Sequence, residues 1–177
     1  MEPVEIANKI KEEFPTEVVE VKEFRGQVGI TIKKNELPGI IRRLNASPEF
    51  DFDYLKDLCG VDYMNVKVPR FEVVYQLYSI RHGHMLRLNV QVSENSPTIA
   101  SVTAVYSGAN WHERECYDMF GIVFDNHPDL RRILLPEDWE GYPLRKDYPT
   151  AGTEEEWRGF KEVLLKAEEY KKYEWKK

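Results

Sequence analysis

The chain of 177 residues lacks several features that usually announce a function. It has only two cysteines, Cys59 and Cys116, and they show neither a C-x-x-C nor a four-cysteine spacing. This argues against a disulfide framework and against an iron–sulfur cluster held by this chain alone. The glycine-rich motifs that cradle nucleotide phosphates are missing. The net charge of −6 is the wrong sign for a nucleic-acid partner.

Long apolar runs are also missing. No stretch of about 18 apolar residues occurs, so we expect no transmembrane helix. Glu2 and Glu5 precede any apolar stretch, which does not fit a secretory signal. Together with the two cysteines, these features predict a single domain in a reducing compartment.

Residues that could carry chemistry are sparse. His112 and Cys116 are four residues apart in a predicted helix, but they supply only two of the three or four ligands that zinc needs. His127 could be a third ligand only through a fold that the sequence does not support, so we predict no metal site. Glu113 and Glu115 point about 160° apart on a helix and cannot flank one bond as a catalytic pair. We therefore predict no catalytic and no cofactor-binding residue in this chain.

Hydrophobic periodicity predicts an α+β fold. A small antiparallel sheet carries helices packed on one face, and an extended C-terminal arm and a terminal helix follow. The clearest strand is residues 85–92, where four aliphatic side chains alternate with polar ones. Residues 52–63 fit either a helix or a strand. The other predicted elements are helices over residues 3–14, 36–45 and 98–105, and strands over residues 17–24, 28–33 and 71–80, with His82 and His84 exposed in the last hairpin turn.

A short helix over residues 111–120 precedes the arm. Asn110 is a suitable N-cap, Glu113 stands where it can reach back to that cap, and Gly121 suits the helix end. The charged side of this helix is either a solvated face or a contact face. The two sides are His112, Cys116, Met119 and Phe120 on one arc, and Trp111, Arg114, Glu115 and Asp118 on the other, with Arg114 and Asp118 spaced to pair.

The arm, residues 122–152, shows neither strand nor helix periodicity and contains four prolines. A loop longer than about 12–15 residues is usually functional or disordered, and this one is too apolar for a solvated tail. Part of the arm can fold onto the chain's own body, but the sharper hypothesis places it in a groove on another protein. The predicted contact residues are Arg114, Glu115, Asp118, His127, Arg131, Arg132, Trp139, Tyr142, Leu144, Arg145, Lys146 and Asp147.

Residues 153–177 are predicted to form a C-terminal helix, because Thr153 and Glu156 are spaced as a capping box. The apolar stripe of this helix would be Trp157, Phe160, Leu164 and Ala167. The predicted organisation is a globular domain over residues 1–121, the arm over residues 122–152, and the terminal helix over residues 153–177.

Three runs carry a resemblance to a known family. They are E-R-E-x-x-D at residues 113–118, H-P-D-L-R-R-I-L at residues 127–134 and W-E-G-Y-P-L-R-K-D-Y-P at residues 139–149. In these runs, and in LKDLCGVDY and RFEVVY upstream, the chain resembles the 30-kDa (C) subunit of respiratory complex I. The resemblance covers about residues 52–149.

The resemblance implies a structural subunit without a redox centre of its own. Such a subunit belongs to the hydrophilic arm of a membrane-bound, ion-translocating oxidoreductase, as a peripheral subunit on the cytoplasmic side. It docks on the large subunit that is similar to the hydrogenase large subunit, near the quinone site. Iron–sulfur clusters, and nickel–iron in the hydrogenase branch, would belong to the partner subunits of this hetero-oligomer.

Several alternatives stay open. The parent complex is either an NADH- or other donor–quinone oxidoreductase, or a membrane-bound hydrogenase or sulfur-reducing complex. The complete run over residues 139–149 favours the respiratory type. The chain could instead be a freestanding small enzyme that uses Glu115, Asp118 and His127 in a cleft, or a soluble adaptor unrelated to redox chemistry.

Overall fold

The computed structural model describes residues 2–149 and 158–170. Its centre is a five-stranded sheet in the order β1-β2-β5-β4-β3. The strands are β1 Val18–Phe24, β2 Gln27–Lys33, β3 Tyr54–Asp62, β4 Phe71–Tyr78 and β5 Met85–Val92, and the helices α1 Pro3–Glu13 and α2 Leu37–Ala46 accompany them. The α+β class and the two hairpins expected from the sequence are confirmed.

The sheet is mixed rather than wholly antiparallel. Three strand pairs run antiparallel, but β2 and β5 run parallel, with Ile30 opposite Leu88 and Ile32 opposite Val90. The connection from β2 to β5 contains α2, β3 and β4, so the chain can re-enter beside β2 in the same direction. A parallel pair needs such a crossover connection, whereas a tight hairpin gives only an antiparallel pair.

Residues 54–62 form a strand, which settles the ambiguity over residues 52–63. The register shifts between Leu55 and Asp57, so that Leu55 faces Leu77 and Leu58 faces Tyr75. A bulge of this kind adds one residue to the strand and puts two buried leucines three positions apart. The helix-like spacing in the sequence is therefore the trace of a bulge.

One face of the sheet carries the core. The buried side chains of the strands pack with Ile6 and Ile10 of α1 and with Ile40, Ile41 and Leu44 of α2. The helix α3, Ala109–Phe120, packs on β3 on the same side. A Cβ at Gly60 would lie 2.6 Å from the ring of Phe120, so glycine at this position permits the close approach of helix and strand.

The helix expected over residues 98–105 is wrong. Thr98–Ala100 forms the short strand β6, which runs parallel to β7, Val123–Asp125. Ile99 is buried opposite Phe124. Burial in this β pair therefore outweighs the helical preference expected for the residues after Pro97. The arm therefore begins as a strand on the globular body.

The end of the chain is partly described. The helix α4 spans Arg158–Tyr170. Thr153, Glu156 and Trp157, on which the predicted cap and part of the apolar stripe depend, lie outside the described residues, as do the side chains of Phe160 and Leu164. None of the helices in the described part of the chain combines the length and the hydropathy of a membrane span.

Candidate functional site

The helix α3 begins slightly earlier than predicted. Its N-cap is Gly108, and Asn110 lies inside the first turn. Glu113 does not reach back to the helix start. Its carboxylate accepts hydrogen bonds from the backbone N–H of Val102, at 2.7 Å, and from the hydroxyl of Ser101, at 2.7 Å. The predicted contact of Glu113 with the helix start is therefore wrong, because the Glu113 carboxylate binds Ser101 and Val102 in the connection before the helix.

Asp118 attaches the arm to α3. Its side chain is fully buried, and its Oδ2 accepts hydrogen bonds from the backbone N–H groups of Ile133, Leu134 and Leu135 at 3.1, 2.8 and 2.9 Å. Burial raises the pKa of Asp118, but these three N–H groups and the guanidinium of Arg132 outweigh burial, so the net pKa shift is downward. A buried carboxylate with so many donors stays ionised and fixes the arm's backbone.

Arg132 holds the next part of the arm. Its Nη1 lies 2.7 Å from Asp118 Oδ1, and its Nη2 donates to the carbonyls of Trp139 and Gly141 at 2.9 and 3.2 Å. Its guanidinium also lies 5.5 Å from the centre of the Tyr142 ring. One arginine thus ties the helix to a turn seven to nine residues further along the arm.

Arg114 binds the arm from the helix side. Its guanidinium donates to the carbonyls of Arg131 and Arg132 at 3.2 and 3.0 Å and lies 5.3 Å from the centre of the Trp111 ring. The expected pairing of Arg114 with Asp118 is wrong, since each of them binds the arm instead. On the charged side of α3, Arg114 and Asp118 contact the chain's own arm, whereas Trp111 and Glu115 stay exposed.

A second attachment lies at the end of α3. Arg145 donates to the carbonyl of Phe120 at 2.6 Å, and its guanidinium lies 4.7 Å from the centre of the Tyr142 ring. Gly121 ends the helix with φ +71°, as its position predicted. A Cβ at Gly121 would lie 2.5 Å from the Tyr142 ring, so the arm can cross the helix end only above glycine.

A third attachment joins the arm to the sheet. Arg70 follows β3 and its loop, and its side chain is 7% exposed. Its guanidinium binds both oxygens of Asp62, at 2.9 and 2.7 Å, and also contacts Asp147 and Glu94. The bidentate contact with Arg70 lowers the pKa of Asp62 to about 2. Asp62 Oδ2 also accepts the backbone N–H of Lys146 at 2.8 Å.

His127 positions the start of the arm. Its Nδ1 accepts the backbone N–H of Asp129 at 3.0 Å, which leaves Nε2 as the protonated nitrogen that donates to the carbonyl of Asn110 at 3.2 Å. Nε2 also lies 3.9 Å from Glu113 Oε2. Burial raises the pKa of Glu113 to about 7, against the opposing effect of its hydrogen bonds with Val102 and Ser101.

The predicted contact residues therefore divide into two groups. One group is buried or half-buried by contacts within the chain and comprises Arg114, Asp118, His127, Arg132, Trp139, Tyr142 and Arg145. The other group is more exposed. It comprises Glu115, Arg131, Leu144 at 52%, Lys146 and Asp147, although Asp147 also binds Arg70. The neighbouring Trp111 at 62% and Leu134 at 63% are exposed too, and the predicted contact residues do not include them.

No cleft brings Glu115, Asp118 and His127 together for catalysis. The side chains of Asp118 and His127 are fully buried and hydrogen-bonded, whereas Glu115 is exposed. Among the described residues, no group of three or more His, Cys, Asp and Glu side chains is placed to hold a metal ion. His112 faces Asp57 at 3.6 Å, and Cys116 is buried against the sheet.

His84 and the residues around Arg70 are where sequence reasoning failed. His84 is buried rather than exposed, because its Nε2 lies 2.8 Å from the carbonyl of Phe50. Arg70, Asp62 and Glu94 were not recognised at all. Arg70 and Asp147 are 77 positions apart, and no periodic pattern connects residues at that separation. The only available signal was that Arg70 opens the run RFEVVY, which carried part of the family resemblance.

Comparisons with known proteins point to one family. The family model described as "Respiratory-chain NADH dehydrogenase, 30 Kd subunit" matches residues 30–154. The C subunit of the NADH-quinone oxidoreductase from Roseiflexus castenholzii is 47% identical over 146 residues, which are 82% of this chain and 83% of the relative. The C subunit from Geobacter metallireducens is 48% identical over 144 residues, which are 81% of this chain and 88% of the relative.

Two solved structures share the fold. A trypsin-resistant fragment (1–134) of Nqo5 is 28% identical, with a TM-score of 0.65 over 73% of this chain and 100% of the fragment. A chain of the membrane-bound sulfane sulfur reductase, an archaeal respiratory membrane complex, has a TM-score of 0.68 over 92% of this chain and 91% of its own. At 20% identity, the second likeness concerns the fold alone.

Proposed function

Because the chain belongs to the 30-kDa subunit family of respiratory-chain NADH dehydrogenase, we propose that it is a non-catalytic assembly subunit of an NADH-quinone oxidoreductase. It docks on the hydrogenase-like large subunit of the same complex and holds that subunit's loops in one geometry. The electron donor, the quinone and the iron–sulfur clusters belong to other subunits. The chain is a peripheral subunit of this membrane complex, on the cytoplasmic side.

The observation that carries this proposal is the arm's construction. Buried contacts of Asp118, Arg132 and Arg70 hold the arm's backbone in one conformation on the chain's own body. Apolar side chains nevertheless point outward, with Leu134 and Leu144 63% and 52% exposed. An interface whose backbone is already ordered loses less conformational entropy on binding. Apolar anchors ringed by charged residues are typical of protein–protein contacts.

The identities of the relatives support one of the two candidate parent complexes. The two relatives at 47% and 48% identity are subunits of NADH-quinone oxidoreductases, whereas the sulfur-reducing complex contributes a chain with 20% identity. These values favour the quinone-reducing parent. The sulfur-reducing or hydrogenase-type complex is the second candidate, favoured only by the shared fold.

Charge reversal at Arg145 is a poor test, because the structure places this side chain against Phe120 and Tyr142 of its own chain. Leu144→Asp is sharper, since the side chain is 52% exposed and its backbone N–H, which donates to Met119, is unchanged. Ile80→Asp is the matched control. Ile80 is 66% exposed, and it follows the opposite end of β4 from Phe71, against which Arg145 stacks.

We expect Leu144→Asp to lower the amount of assembled complex on native gels by at least tenfold, and Ile80→Asp to leave it unchanged. Thermal unfolding of the isolated chains should give the same Tm for both variants to within a few degrees. Full assembly of the Leu144→Asp variant, or equal loss in both variants, would contradict the proposed role of the arm.

A further inference from the structure

The loop of residues 63–69, between β3 and β4, presents two valines to solvent. Val66 is 81% exposed and Val68 is 94% exposed, the highest values among the large hydrophobic side chains of the described residues. Scattered exposed hydrophobic residues are common, but two on one short loop form a patch. The predicted contact residues do not include this loop.

The loop is rigid at its base. Asp62 and Arg70, which flank it, form the bidentate ion pair, and the backbone N–H of Tyr63 donates to the carbonyl of Arg70 at 2.8 Å. Within the loop, the N–H groups of Val66 and Lys67 donate to the carbonyl of Tyr63 at 2.8 and 3.1 Å. The valines are thus carried on an ordered turn rather than on a mobile tip.

The loop is continuous with the end of the arm. Arg70 Nη2 contacts Asp147 at 2.7 Å, and Asp62 accepts the backbone N–H of Lys146. The side chains of Asp147 and Glu94 beside it are 46% and 56% exposed. The same ion cluster therefore holds the arm's end and the valine loop side by side.

The charges around the loop identify the kind of surface that it fits. The one lysine of the loop, Lys67, is turned back against Glu72 and the ring of Tyr63. The flanking Glu94 and Asp147 are acidic, and the chain as a whole carries −6. Anionic lipid surfaces attract basic segments, so this loop has the wrong charge for a membrane. An apolar socket rimmed by lysines or arginines has the complementary character.

From this geometry we infer that Val66 and Val68 insert into an apolar, basic-rimmed socket on the same partner protein that receives the arm. The inference rests on the proposed function, because it adds a second, rigid contact to that docking surface. The loop sets the orientation in which the arm's outer face meets the partner.

The test uses cells in which the tagged full-length chain is the only copy. Val66→Asp/Val68→Asp replaces both valines, and Phe24→Asp is the matched control. Phe24 is 63% exposed at the end of β1. It lies at the opposite end of the sheet from the loop, because β2 runs parallel to β5. The yield of complex in a pull-down from detergent-solubilised membranes is compared with the Tm of each isolated chain.

We expect the double variant to recover at least tenfold less complex, with a Tm within a few degrees of the unmodified chain, and Phe24→Asp to recover the normal amount. Val66→Ile/Val68→Ile keeps both side chains apolar, and this variant should recover the normal amount of complex. If the double variant unfolds, Val66→Ser/Val68→Ser is measured instead, and normal recovery with it overturns the inference.

Other outcomes separate this inference from the proposed function. Normal recovery for the valine variant, with loss for Leu144→Asp, overturns the loop's role and leaves the arm's role intact. Normal recovery for both overturns both. Equal loss with Phe24→Asp also overturns the inference. Binding to phosphatidylglycerol vesicles is a further outcome. If the unmodified chain prefers them to phosphatidylcholine vesicles and the valine variant has lost this preference, the loop binds a membrane and the inference is overturned.

Discussion

Asp118 shows how a single buried side chain can order a long irregular segment. Three consecutive backbone N–H groups of the arm converge on one of its oxygens, and Arg132 binds the other. Burying an ion costs free energy, and only such a set of donors offsets this cost. Without the carboxylate charge, the three N–H groups and Arg132 would lie buried beside a weaker acceptor, and the fold would be less stable.

The first prediction concerns Asp118→Asn. The substitution removes the charge that Arg132 and three N–H groups bind, so we expect the free energy of unfolding to fall by about 3 kcal/mol. Asp129→Asn is the control, because Asp129 pairs with Arg131 where both side chains are about 60% exposed, and its loss should change stability by less than about 0.5 kcal/mol. Urea unfolding of the full chain measures both, and similar small values for the two variants would contradict the role given to Asp118.

The second prediction concerns Glu113, whose pKa is raised from 4.5 to about 7 by burial. Between pH 7 and pH 4.5 the folded chain binds a proton that the unfolded chain does not, so this group makes folding more favourable as pH falls. The gain is on the order of 3 kcal/mol across that window. The lowered pKa values of Asp62 and Asp118 act oppositely and below this window, since their stabilisation is lost as pH falls below about 4.

Glu113→Gln should therefore remove the rise in stability between pH 7 and pH 4.5 that the unmodified chain shows. Glu115→Gln is the matched control, because Glu115 is exposed on the same helix, and it should keep the rise. Urea unfolding at several pH values tests this. An unchanged slope in the Glu113→Gln variant would show that burial does not govern this carboxyl.

For single residues, the sequence picked out charged side chains that make contacts but did not identify their binding partners. Asp118, Arg132 and Arg145 were all predicted to contact another protein, whereas in the structure they bind their own chain. Their partners within the chain were not foreseeable, because hydrogen bonds to the backbone of an irregular arm leave no periodic trace. The buried state of His84 was missed for the same reason, since its partner is a backbone carbonyl 34 positions away.

Among the elements, the crossing of the arm over α3 depends on Gly121. Gly121→Ala places a Cβ within 2.5 Å of the Tyr142 ring at a φ of +71°. Gly26→Ala is the control, since Gly26 has a φ of +75° but no atom within 4 Å of the added Cβ. The control should cost about 1 kcal/mol for the backbone alone, and Gly121→Ala about 2–3 kcal/mol more for the displaced arm.

Thermal or urea unfolding of the two alanine variants isolates the contribution of the arm contact. Equal destabilisation at Gly26 and Gly121 would mean that Tyr142 moves away from the added Cβ at little cost. The arm would then be attached more loosely over the helix end than its contacts indicate.

Regular elements were predictable where one periodic pattern acted alone. The helices α1 and α2 follow from the stripe of their apolar residues, and the strands β2 and β5 from alternation. The strand β4 follows from its β-forming residues, and β1 from its place before the turn at Gly26. The bulge in β3 and the short parallel pair of β6 and β7 were not predictable. Both depend on partner strands far along the chain, which local propensity does not register.

The features to which docking is assigned in the proposal lie at one end of the molecule. Residues Lys146 and Asp147 of the arm, the valine loop and the three carboxylates around Arg70 lie together at one end of the sheet. The hairpin turns next to Phe24 and Ile80 lie at the other end of the sheet, where we expect substitutions to leave assembly unchanged. The family resemblance placed the chain in a complex, whereas only the structure distinguishes the two ends.

The most direct test of the proposed function is an affinity pull-down of the full-length tagged chain from membranes gently solubilised in detergent, followed by mass spectrometry and metal analysis. We predict that the hydrogenase-like large subunit and iron–sulfur subunits of an NADH-quinone oxidoreductase are recovered with it, together with iron. Nickel in the sample would assign the chain to the hydrogenase branch instead. Recovery of the chain alone and free of metal, from membranes that contain an intact complex, would contradict the assembly role.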